Sequence, residues 1–101
     1  MTVQVYIPTP FRPHTNGLSK VELEAATVQQ ALDALVSKYP ELRQRIFQDS
    51  GELVEHLNVF VNEEEIRSLQ GTATRLQPGD EVALIPAMAG GQADTPSPLL
   101  S

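Results

Sequence analysis

Near its end the chain reads Ile85-Pro86-Ala87-Met88-Ala89-Gly90-Gly91, an apolar lead into an arm of uncharged, unbranched residues closed by two glycines. Such an arm can thread a tunnel too narrow for branched side chains. A free carboxylate on Gly91 would be a little-crowded acyl group, suited to activation as an acyl adenylate. Ten further residues follow, Gln-Ala-Asp-Thr-Pro-Ser-Pro-Leu-Leu-Ser, and they hold that carboxyl in a peptide bond. Chemistry at Gly91 therefore requires a cut between Gly91 and Gln92. Pro86, Ala87, Met88, Ala89 and Gly90 form the stalk that would enter a partner's active site.

The other reactive side chains are sparse. His14 and His56 are the only histidines, and neither has a partner at metal-ligand spacing. Both read as ordinary loop or strand-edge residues. Glu63-Glu64-Glu65 has the carboxylates of an acid/base site, but a solvated turn accounts for them better. Arg12, Arg43, Arg45, Arg67 and Arg75 are scattered among acidic residues rather than gathered into an anion patch. No Ser-His-Asp order, P-loop or dinucleotide glycine pattern occurs. The absence of cysteine removes disulfides, thiolate metal sites and cysteine nucleophiles together. The expectation is a protein that is not an enzyme, with no metal site and no cofactor of its own.

The formal charge is −6 over 101 residues, and only Asp94 contributes to it beyond Gly91. An acidic body disfavours the nucleic-acid backbone, which needs clustered Lys and Arg. It suits a partner with a basic surface, where opposite potentials speed encounter, and it also keeps a small protein soluble. No apolar run approaches the ~20 residues that span a bilayer, so no membrane partner is expected. The start, Met-Thr-Val-Gln-Val, lacks a secretory signal's basic region and apolar core. A cytoplasmic address is the expectation.

The elements that must position the arm follow from periodicity. Val3, Val5 and Ile7 alternate with polar neighbours, the period of a half-buried strand. Pro8, Pro10 and Pro13 stop that pairing, since proline has no amide donor. Phe11 in this loop is expected to fold back over the core. Asn16-Gly17 marks a turn, and Leu18, Val21 and Leu23 suggest a second strand antiparallel to the first. Thr27 with Gln30 three residues on fits a capping box. Val28, Ala31, Leu32, Leu35, Val36 and Tyr39 then make one helical stripe, which Pro40 ends. Leu42 and Ile46 suggest a short extra turn with Arg43, Gln44 and Arg45 facing solvent.

Residues 49–55 read as a loop. Leu57, Val59 and Val61 form a third strand, turned by residues 62–65 into a brief return at Ile66. One tight helical turn is expected within residues 69–76. Gln77-Pro78-Gly79-Asp80 is a turn and residues 82–85 the last strand. One helix covering one face of the sheet gives a two-layer α+β domain. The order of elements is that of a β-grasp fold, a mixed sheet of four or five strands under one main helix. The domain should cover residues 1–89 with a flexible arm from 87, then the Gly-Gly at 90–91. Residues 92–101, with two prolines and no periodicity, read as disordered.

Three segments resemble the ubiquitin-like sulfur carriers, the group of the thiamine sulfur carrier and the molybdopterin synthase small subunit. They are Val59-Phe60-Val61-Asn62 with Ile66-Arg67, then Leu76-Gln77-Pro78-Gly79-Asp80-Glu81-Val82, then Ile85 to Gly91. Ile7-Pro8-Thr9 and Arg12-Pro13-His14-Thr15 are similar to the branch that serves actinobacterial cysteine biosynthesis. The resemblance implies an ATP-dependent activating enzyme that adenylates Gly91, and a sulfurtransferase whose persulfide converts it to a thiocarboxylate. It further implies a pyridoxal-phosphate cysteine synthase, or another enzyme that accepts the sulfur. ATP, pyridoxal phosphate and zinc would belong to the partners. The familiar carriers end at Gly-Gly, so residues 92–101 imply a proprotein cut by a JAMM-type zinc protease. A ubiquitin-like modifier joined to lysines, and an uncleaved regulator docking an amino-acid-metabolic enzyme, remain alternatives.

Overall fold

The structure, a computed structural model, describes residues 2–87. Five strands make one mixed sheet in the order β2-β1-β5-β3-β4: β1 (Thr2–Tyr6), β2 (Lys20–Glu24), β3 (Leu57–Val61), β4 (Glu64–Glu65) and β5 (Glu81–Pro86). β5 lies in the middle, parallel to β1 and antiparallel to β3. The remaining pairs, β1 with β2 and β3 with β4, are antiparallel. The main helix α1 (Val28–Lys38) and the short α2 (Arg43–Ile46) follow β2. This is the expected α+β, β-grasp architecture.

The alternating residues Val3, Val5, Val21, Leu23, Leu57, Val59, Val61, Val82 and Leu84 are all buried in the core. The apolar stripe of α1 is buried too, with Val28, Ala31, Leu32 and Leu35 wholly so. Each large side chain removed from water in this way contributes about 1.5–3 kcal/mol. The opposite face of the sheet keeps an apolar row, Tyr6, Ala83 and Phe60, which are register partners across β1, β5 and β3, with Ile85 beyond them 44% exposed.

The cap of α1 forms as expected on one side: the Gln30 amide donates to the Thr27 hydroxyl at 3.2 Å. The Gln30 side chain returns to the amide of Ala26 (2.8 Å), one residue before the cap. Tyr39, with ψ 81°, is pulled out of helical geometry by Pro40 and ends the helix.

Three expectations need correction. The proline-rich segment is a 3₁₀ helix, Thr9–His14, because Pro10 occupies a first-turn position where no amide donor is required. Leu18 is 45% exposed and lies outside β2, since the Asn16-Gly17 turn with both φ positive leaves it short of the ladder. The return strand is Glu64–Glu65, and buried Ile66 opens a 3₁₀ turn instead. Residues 69–76 hold one tight turn, the 3₁₀ turn Gly71–Ala73, as expected.

Candidate functional site

β5 delivers the chain to the arm. Its final residue, Pro86, is the register partner of Leu57 at the start of β3. Proline cannot donate to the ladder, and the next amide, that of Ala87, donates to the carbonyl of His56 at 2.6 Å. Pro86 and Ala87, read from sequence as the start of the arm, are therefore held to the sheet by β3. Met88, Ala89, Gly90, Gly91 and Gln92 lie outside the described residues, as do the Gly91–Gln92 junction and residues 92–101.

A groove of about 450 Å³ opens at the root of the arm. Phe11 of the 3₁₀ helix and Leu57 are buried at its base, Pro86 and Ala87 form one side, and Arg45 and His56 carry polar groups into its lining. Phe11 folds back on the core as expected, so the proline-rich segment builds one wall of the groove.

The Arg12-Pro13-His14-Thr15 segment fixes that wall through contacts of several kinds. The Arg12 Nε donates to the carbonyl of Ile7 (3.1 Å), and its Nη2 lies 3.3 Å from the Tyr6 hydroxyl with the guanidinium 5.8 Å from that ring's centre. Thr15 is wholly buried, with its hydroxyl 3.0 Å from the Leu18 carbonyl. His14 contacts Glu41 through Nδ1 (2.9 Å) and receives the Arg45 Nε–H at Nε2 (2.9 Å). Because Arg45 donates at Nε2, that nitrogen carries the lone pair and Nδ1 carries the hydrogen offered to Glu41. The ring thus ties the 3₁₀ helix to α2 and to the turn after Pro40.

Sequence reasoning took His14 as an ordinary loop residue and the arginines as scattered. The structure brings His14 and Arg45 together but leaves Arg43 and Arg75 exposed elsewhere. Their pairing spans 31 positions, which no local spacing signals. Glu63 sits on the turn, and Glu64–Glu65 form the edge strand. Glu65 accepts from the Arg67 amide (3.3 Å), so these carboxylates do not converge on a common point. Among the described residues no group of three His, Cys, Asp or Glu side chains could hold a metal ion, and no helix is long and apolar enough to cross a membrane.

A family model described as the ThiS family matches residues 5–91. The sulfur carrier protein CysO of Mycobacterium tuberculosis strain H37Rv is 38% identical over 93 residues, covering 90% of this chain and all of that protein. Small archaeal modifier protein 1 of Haloferax volcanii is 48% identical over 66 residues, 65% of this chain and 71% of the relative. Among solved structures, the Amycolatopsis orientalis BexX/CysO complex matches with a TM-score of 0.81 and 36% identity, over 88% of this chain and 99% of that one.

Proposed function

The chain belongs to the ThiS family, and on that premise we propose that it carries sulfur as a thiocarboxylate on Gly91 after removal of residues 92–101. The observation that carries this reading is where the family match stops: its last residue, 91, is the second glycine of the arm. The similarity to CysO supports a sulfur carrier as the general class, and the solved complex of a CysO with BexX supports work in partnership with enzymes.

In the proposed sequence a protease of the JAMM type cuts the Gly91–Gln92 bond and frees the carboxylate. An activating enzyme then joins that carboxylate to AMP from ATP and releases pyrophosphate. The terminal sulfur of a sulfurtransferase persulfide displaces AMP to give an acyl disulfide. A thiol then reduces that S–S bond, leaving the thiocarboxylate on Gly91 and a disulfide on the sulfurtransferase. The thiocarboxylate finally gives its sulfur to an acceptor, for which the CysO relationship favours a pyridoxal-phosphate cysteine synthase. The chain supplies the acyl group and its delivery, while ATP, pyridoxal phosphate and zinc reside in the partners.

Intact-mass measurement after incubation in the host's lysate tests both halves. The expected product ends at Gly91 and then gains the mass of one oxygen exchanged for one sulfur. Retention of residues 92–101 in every active preparation overturns the reading. The similarity to an archaeal modifier protein favours a second reading, isopeptide attachment of Gly91 to lysines of other proteins. Conjugates carrying an N-terminal tag, in place of the sulfur adduct, would establish that one.

A further inference from the structure

We propose that the groove at the root of the arm is a docking collar for the activating enzyme, and that it receives an apolar side chain flanked by a carboxylate at the mouth of that enzyme's active site. The inference rests on the proposed adenylation of Gly91.

Reach comes first. Gly91 lies four positions beyond Ala87, and an extended chain spans at most ~3.3–3.6 Å per residue. Whenever Gly91 lies in a partner's catalytic centre, Ala87 is within about 14 Å of the reacting carboxyl. The groove that Ala87 lines must then face the partner's entrance.

The chemistry of the lining says what that entrance must offer. The base is apolar, through Phe11, Leu57 and Pro86. The polar side is donor-rich. Arg45 spends only its Nε on His14, and among the described residues its two terminal nitrogens have no hydrogen-bond partner. The His56 ring likewise has none, its backbone carbonyl alone being used by Ala87. His14 takes the Arg45 Nε–H while leaning on Glu41, so the guanidinium is positioned before any partner arrives. A fork of free donors held beside an apolar floor matches a carboxylate next to an apolar side chain. Arg45 is the one formal charge among the described lining residues, a cation on a chain whose formal charge is −6, so it orients the partner as well as attracting it.

The test uses the chain ending at Gly91, which keeps every contact described for residues 2–87, and the activating enzyme of the same organism. ATP–pyrophosphate exchange gives KM and kcat for the carrier. Arg45→Glu is expected to raise KM at least about tenfold with kcat at saturation unchanged, the signature of lost docking rather than lost chemistry. The dependence of KM on salt should also flatten. His56→Glu, in the same lining but outside the His14 contact, should raise KM in the same direction, and thermal unfolding should show both variants folded. Unchanged KM in both folded variants overturns the collar while leaving adenylation intact. No exchange with the unaltered chain overturns the adenylation reading, and the collar with it. If Arg45→Glu leaves KM alone in the chain ending at Gly91 but, introduced into the full 101-residue chain, alters the rate of cleavage at Gly91–Gln92, the groove serves residues 92–101 and the collar is wrong. It is equally wrong if the substitution abolishes self-association seen by sedimentation.

Discussion

At one end of the sheet, where β3 finishes and β5 begins, polar side chains are consumed internally. The Asn62 side chain donates to Asp80 (2.8 Å) and accepts from the Glu81 amide (3.1 Å), and the second Asp80 oxygen accepts from the Gln77 amide (2.8 Å). Gly79, with φ of 88°, turns the chain so that its amide reaches the Thr2 carbonyl (2.9 Å). At the other end, where β5 finishes, Arg45 and His56 hold donors that no described residue uses, above an apolar groove. The same five strands thus have a closed end that fixes register and an open end whose donors are unspent. On the proposed reading, stability and interaction are separated along a single strand.

Four changes test that separation, in falling order of expected effect. Deleting Gly90-Gly91 from the mature chain should abolish ATP-dependent activation completely while leaving the thermal midpoint where it was. A fall in the midpoint would mean the arm belongs to the fold. Phe11→Ala removes a buried ring that the open end shares with the core, and chemical denaturation should show a loss of about 3–5 kcal/mol. A much smaller loss would mean the 3₁₀ helix is a cover and not part of the core. Asp80→Ala at the closed end should cost about 1 kcal/mol by removing two exposed hydrogen bonds, to the Gln77 amide and the Asn62 side chain, whose donors then turn to water. The folded fraction should still be activated at the normal rate. His56→Ala at the open end should alter stability by no more than about 0.5 kcal/mol, and a larger change would show that the ring supports the fold after all.

The closed end and the strands were legible in the sequence because their signals are local. Alternation of Val3 with Val5 and of Val59 with Val61, the Thr27 cap, and Gln77-Pro78-Gly79-Asp80 each depend on residues a few positions apart. The glycine arm lies outside the described residues. The groove at its root was not legible. Phe11, Arg45, His56 and Ala87 come from four separate segments, and the donors of Arg45 become directed only through His14 and Glu41, 31 and 4 positions away. Leu18 misled for the opposite reason: its local alternation was real, but the positive-φ turn before it set the ladder to begin at Lys20.

The central position of β5 has a mechanical consequence. An enzyme that draws the arm inward pulls along the axis of a strand bonded on both sides, from Gln4, Val5 and Tyr6 of β1 and from all five residues of β3. Such a load shears the two ladders together, so that their rungs resist in parallel and none is peeled open ahead of the rest. Had the arm been carried by an edge strand such as β4, a tug could have unzipped the domain one bond at a time. On the proposed reading, the domain is an anchor for any load applied beyond Ala87.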